Sequence, residues 1–280
     1  MTVVAVTGSS GLLGQAVVAE LHQQGYVVWG WDMRAVASPF LDRFQSGDIL
    51  DSTRFAAWIV GADALVHLAA LPSPELGSGD WVTTVNVLGT YRALEAAMAA
   101  NIRTVVLASS VSALGMAWGR RFMPAYLPID EDHPLMPEDA YGTSKWINEI
   151  HGAMFARRYG ASIACLRFPT IVTAESVGPF RQAITQDPEL GARLLWAYID
   201  RQDAALACRL ALERPRPGCH PYYVTASDHL AGDALPDLLR VYYPAVPRRP
   251  DLSLAESLFS IKAAAAEFGY QPAVRWGERP

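Results

Sequence analysis

Cysteine is scarce in this chain: Cys165, Cys208 and Cys219 are the only three in 280 residues. They lie far apart, an odd number rules out a complete disulfide framework, and no pair has the spacing of a metal site or redox motif. Reduced thiols in a cytoplasmic protein are the expectation, with no bound metal. No apolar run approaches the ~20 residues that a membrane-spanning helix requires. No basic segment leads an apolar one at the N-terminus, so no signal peptide is read there. Charge is sparse at 18% of residues, and the balance of −5 with a pI of about 5.7 offers no surface suited to a polyanion. These absences exclude nucleic-acid and membrane partners and leave a small molecule as the expected one.

What is present describes an ordinary globular core. Hydrophobic residues make up 51% of the chain, and the mean hydropathy of +0.13 reflects abundant Ala and Val. Short apolar β-rich runs at Val3 to Val6, Tyr26 to Trp31, Ala64 to Leu68, Thr104 to Ala108 and Ser162 to Arg167 alternate with helical stretches. Those helices are Leu12 to Gln24, Ser52 to Val60, a long one over Trp81 to Ala100, and Tyr141 to Tyr159. Strands that are apolar throughout, separated by helices, predict an α/β fold: a Rossmann-type doubly wound parallel sheet covered on both faces. Beyond Arg167 the pattern loosens and Pro and Gly become frequent. This predicts a dinucleotide-binding domain over 1–168 and a smaller C-terminal substrate lobe over 169–280, with the 203–213 helix packing back on the main domain.

The first strand ends in Thr7-Gly8-Ser9-Ser10-Gly11-Leu12-Leu13-Gly14, which opens the first helix. Gly8 permits a tight turn, Gly11 lets backbone amides approach a pyrophosphate, and Gly14 allows close helix–sheet packing. The helix start then offers free N–H groups and a positive dipole end. Gly8, Ser10, Gly11, Leu12, Leu13 and Gly14 are thus candidate cofactor contacts, in the strand–turn–helix context that gives a glycine trio meaning. Asp32 closes the second strand, where a carboxylate can accept from ribose hydroxyls and would repel a 2′-phosphate. NAD is the expected cofactor, and Arg34, two residues on, leaves NADP open. Asp48 and Ile49 after the third strand, and Leu68, Ala69 and Ala70 at the end of the fourth, are candidate walls for the nucleotide. His67, inside an apolar strand, reads as a core histidine.

Tyr141 and Lys145, in Tyr141-Gly142-Thr143-Ser144-Lys145, share one helix face a turn apart. An ammonium at that distance favours phenolate, so Lys145 is expected to lower the Tyr141 pKa and fit it for proton exchange with a substrate hydroxyl or carbonyl. Ser110, at the C-terminal end of the fifth strand, stands on the edge where open α/β sheets bind ligands. Asn86 lies in the long helix before that strand, and Pro169 follows the sixth.

As a set these residues resemble the extended branch of the short-chain dehydrogenase/reductase superfamily, the group of NAD-dependent sugar-nucleotide epimerases and dehydratases. Arg167, Gly89-Thr90, Asp203-Ala204, Ser260-Ile261-Lys262-Ala263 and Phe268-Gly269-Tyr270-Gln271-Pro272 extend the resemblance over nearly the whole chain. It implies Ser110 at the catalytic Ser/Thr position, Tyr141 as acid/base, and Lys145 holding the cofactor ribose. Asn86 would support a proton relay behind Lys145, and a homodimer would form through the two long helices. The resemblance leaves the reaction open. Dehydratases of the group carry Asp-Glu just after the catalytic residue, where this chain has Val111 and Ser112, so that chemistry lacks its acid and base. The chain is short for an epimerase, and no familiar nucleotide-binding signature lies between Arg167 and Asp203. A dehydrogenase of a small sugar, sugar acid or polyol, similar to uronate dehydrogenases, fits best. An epimerase that retains NAD is the alternative, and a non-catalytic nucleotide sensor is disfavoured by the Tyr–Lys pair. Candidate substrate contacts are Ser73, Ser110, Ser112, Tyr141, Thr170 and Arg181, with Trp118, Phe122 and Tyr126 as a pocket floor or, equally, as core filling.

Overall fold

Strands that are apolar on both sides must be covered on both sides, and the computed structural model, which describes residues 1–118 and 122–277, shows the two covers. The first half runs β1 (Val3–Thr7), α1 (Leu12–Gln23), β2 (Val27–Asp32), β3 (Arg43–Ser46), α2 (Ser52–Ile59) and β4 (Ala64–His67). There follow α3 (Gly79–Thr83), α4 (Gly89–Ala99), β5 (Thr104–Ser110), α5 (Ala140–Tyr159) and β6 (Ser162–Phe168). Next come β7 (Thr170–Val172), α6 (Val177–Gln186), α7 (Pro188–Arg193) and β8 (Tyr198–Asp200). The chain closes with α8 (Arg201–Glu213), β9 (Gly218–Tyr223), α9 (Leu235–Tyr242) and α10 (Lys262–Phe268).

Seven strands form one parallel sheet in the order β3-β2-β1-β4-β5-β6-β9. The order reverses between β1 and β4, which opens a crevice at their C-terminal ends. Alternate residues serve opposite layers. Val4 and Val6 meet α1 and α8 on one face, while Ala5 faces the α2, α4 and α5 side with Phe55, Leu94 and Phe155. β7 and β8 pair separately. No helix among the described residues is long and apolar enough to cross a membrane.

The helix expected over Trp81 to Ala100 is interrupted. A π-helical turn over Thr84–Leu88 separates α3 from α4 and carries Asn86 into the interior. α5 starts cleanly because Asp139 caps it, its carboxylate accepting from Gly142 N at 2.8 Å, and Gly160 ends it in the left-handed region.

Residues after 168 divide between two cores. α8, β9 and α10 join the main layers through Ala207, Ala211, Tyr222 and Phe268. Val177, Ile184, Leu195, Leu235 and Leu239 build a second cluster, which also takes Leu114, Phe122, Leu127 and Ile129 from before residue 168. The second cluster is therefore assembled from both halves of the sequence.

Candidate active site

The glycine turn is closed by contacts that leave no room for side chains. Gly8 sits at φ +69°, and a Cβ there would come within 2.8 Å of Ala69 N; one on Gly14 would stand 2.0 Å from Gly8 O. Gly11 caps α1 without a side-chain bond, leaving the first N–H groups of the helix facing the crevice. The Asp32 carboxylate accepts from Ser10 N and Arg34 N, both at 3.0 Å. Two hydrogen bonds leave it capacity to accept ribose hydroxyls. Glycines that a Cβ would block, a bare helix start and a strand-end carboxylate fit the pyrophosphate and adenosine ribose of a dinucleotide. Arg34 is exposed beside this turn.

Tyr141, Ser110 and Lys145 come together at the C-terminal end of β5. The Ser110 hydroxyl accepts from Ser112 N at 3.1 Å and lines the same cleft as Tyr141. Lys145 Nζ donates to Ala108 O at 2.9 Å and lies 5.5 Å from the centre of the Tyr141 ring. The expected lowering of the Tyr141 pKa is not what this arrangement gives. Burial pushes the phenol up to about 12, with Ser110 acting weakly the other way, and burial pulls Lys145 down to about 8. Desolvation outweighs the lysine because its ammonium is directed at a backbone carbonyl rather than at the phenol oxygen. Tyr141 therefore keeps its proton near neutral pH. A dinucleotide held by the glycine turn and Asp32 would supply the hydride exchange and, when oxidised, a positive charge that would favour the phenolate.

A cleft of about 550 Å³ runs from the glycine turn past these residues. Of the expected contacts it gathers Gly8, Gly11, Leu12, Leu13, Gly14, Leu68, Ala70, Ser110, Ser112, Tyr141, Lys145, Pro169 and Thr170, together with Trp118. Ser10 and Ala69 stand just behind it in the turn.

Others are engaged elsewhere. The Asn86 side chain accepts from Leu71 N and donates to Leu71 O and Ser144 Oγ, pinning the 71–72 loop to α5. Ser73 caps the short Pro74–Leu76 turn, and Pro72 takes the place at the cleft. Arg181 donates to Trp276 O. Asp48 accepts from Leu50 N, and Ile49 is buried against Gly89. Phe122 belongs to the second core, and Tyr126 donates to Asp130 at 2.6 Å. His67 is satisfied as a core residue. Thr7 Oγ1 already accepts from Leu68 N and Ala69 N, so its proton goes to His67 Nδ1 at 2.8 Å, leaving Nε2 to donate to Thr90 at 3.1 Å.

Sequence reasoning missed the support beneath this site. Glu149 takes Arg167 in a bidentate pair, Nε to Oε1 at 2.9 Å and Nη2 to Oε2 at 2.7 Å, and accepts from Ser109 Oγ at 2.6 Å. Arg167 Nη1 donates to Tyr223 Oη at 3.2 Å. Burial works against the arginine charge, and Glu149 and Tyr223 more than offset it, so its pKa is raised. The pair ties α5 to β6 and β9. A signal was there: Tyr141, Lys145 and Glu149 are spaced four apart on one helix face.

Residues 4–224 match the model of the NAD dependent epimerase/dehydratase family. L-arabinose 1-dehydrogenase (NAD(P)(+)) of Haloferax volcanii is 29% identical over 231 residues, 78% of this chain and 85% of that protein. A putative UDP-glucose 4-epimerase of Methanocaldococcus jannaschii is 28% identical over 208 residues, 70% of this chain and 61% of that protein. Among solved structures, a short-chain dehydrogenase/reductase superfamily protein of Agrobacterium tumefaciens with bound NAD superposes at a TM-score of 0.76. It is 26% identical, with 98% of this chain and 93% of that chain covered. The chain belongs to the NAD-dependent epimerase/dehydratase family, the extended short-chain dehydrogenase/reductase type, and NAD is its cofactor.

Proposed function

We propose that this chain is a net oxidoreductase, moving hydride between exchangeable NAD and the hydroxyl or carbonyl carbon of a small sugar, sugar acid or polyol. Tyr141 exchanges the proton, Ser110 holds the reacting oxygen, and Lys145 holds the nicotinamide ribose with the ammonium protons that Ala108 leaves available. The observation that carries the reading is a single cleft that runs from the glycine turn to Ser110, Tyr141 and Lys145 at the end of β5. The arabinose dehydrogenase, 85% of which is matched, supports a small substrate. Asp32 beside Ser10 supports NAD over NADP. The sheet domain holds the cofactor, and the lobe built largely after residue 168 closes over the substrate. Exposed Trp81, Leu88, Trp146 and Ile150 on the α3–α4 and α5 helices are the surface through which two copies would pair. The three free cysteines suit a reducing compartment such as the cytoplasm.

The M. jannaschii relative favours a second reading, an epimerase that returns the hydride to the same sugar from a retained cofactor. Incubation with excess NAD and sugars, polyols or uronates separates the two. The oxidoreductase reading expects reduced cofactor to accumulate far beyond one equivalent per chain. Sugar epimerisation without such accumulation would reverse it.

A further inference from the structure

α6 and α7 each contribute to the lining of the cleft, and each carries an arginine that does not line it. Arg181 donates to Trp276 O, and Arg193 lines a separate cavity of about 300 Å³ with Phe122 and Tyr242. What these helices turn toward the cleft is Phe180, Leu190 and Leu194, and Ile171 and Trp118 continue the same apolar wall. Phe180, Leu190 and Leu194 are only partly buried although they pack on the second core, so part of each is left for an occupant of the cleft. Among the described residues lining the cleft Lys145 is the only cation, and its ammonium is held beside the reacting site by Ala108 O. A carboxylate or phosphate pressed against Phe180 and Leu194 would lose its hydration and meet no counter-charge among the described residues there. A C–H-rich flank would instead cover apolar surface that water now covers.

We infer that the substrate is a small uncharged compound whose reacting carbon carries an apolar flank, seated on Phe180, Leu190 and Leu194. Among the substrates of the oxidoreductase reading, on which this inference rests, it retains neutral compounds and removes sugar acids; it also removes nucleotide sugars.

Matched pairs test it. The rates of NADH-dependent reduction of benzaldehyde and 4-carboxybenzaldehyde are compared, and those of NAD-dependent oxidation of D-galactose and D-galacturonate. The uncharged member of each pair is expected to have the higher kcat/KM, by at least tenfold, and Leu194→Arg to narrow or invert that ratio. A wild-type preference for the charged member overturns the inference, and so does a ratio near one. Arg120→Ala and Arg121→Ala, at positions outside the described residues, then report whether those arginines hold the anion. Where no member turns over, titration of the NADH-loaded protein with benzaldehyde and 4-carboxybenzaldehyde decides. Tighter binding of benzaldehyde upholds the apolar wall while the oxidoreductase reading falls. Equal or tighter binding of the carboxylate, or no binding of either, overturns the inference itself.

Discussion

Replacing Glu149 by leucine would keep roughly the same volume and leave Arg167 buried without its bidentate partner. The side chains of the pair are 10% and 3% exposed, so water cannot take over the charge. Removing one partner of such a pair costs about 3–5 kcal/mol. At roughly 2.1 cal/mol/K of unfolding entropy per residue, 280 residues give ~0.6 kcal/mol/K, so the Tm should fall by about 5–8 °C. Calorimetry measures this directly, and urea unfolding supplies an independent free energy. Glu149→Leu combined with Arg167→Met should recover most of the loss, because the cost lies in the orphaned charge rather than in an absent attraction. Since Glu149 also fixes α5 against β6, the single variant should lose activity as well, even where it is fully folded. A loss below about 1 kcal/mol, within the range of exposed pairs, would refute the claim that this pair anchors the catalytic helix.

Three further outcomes follow from the geometry. Tyr141→Phe should lower kcat by roughly 10²–10⁴-fold, the usual contribution of a general acid–base, while NAD affinity by fluorescence titration stays unchanged; near-normal turnover would remove Tyr141 from the chemistry. Asp32→Ser should raise the NADP-to-NAD ratio of kcat/KM at least tenfold, because the repelling carboxylate is gone and Arg34 remains exposed nearby; an unaltered ratio would show that Asp32 serves only the turn. Burial, reinforced by Lys145, holds the His67 pKa down to about 3. The unfolded chain therefore takes up a proton below about 6.5 that the folded one refuses, and stability drains away by up to about 1.4 kcal/mol per pH unit as pH falls from 6.5 toward 3. Urea midpoints across that window should show a shallower slope in His67→Gln, and an identical slope would contradict the assignment.

The sheet was legible because its strands are apolar throughout and its glycine turn stands between strand and helix. The site was legible where spacing alone brings groups together, as with Tyr141 and Lys145 on one helix face. β9 was not, because Gly218–Tyr223 contains His220 and Pro221 and lacks the pattern of its neighbours. As the edge strand it pairs only with β6, so a residue without an N–H is tolerated there. The division of the second core was equally hidden, since Leu127 and Leu235 meet only through tertiary packing. The Tyr141 pKa reversed because periodicity fixes which residues are neighbours but not where an ammonium points. The partners of Asn86 were hidden for a related reason: the π-helical turn over Thr84–Leu88 carries it to Leu71 and Ser144.

The most direct test of the central claim follows the transferred hydrogen. A neutral substrate deuterated at its reacting carbon is incubated with the protein and excess NAD, and the free NADH is collected and weighed by mass spectrometry. Deuterium is expected in free NADH, accumulating well beyond one equivalent per chain and absent with Tyr141→Phe. Deuterium kept in an epimerised sugar, with no labelled NADH released, would contradict it.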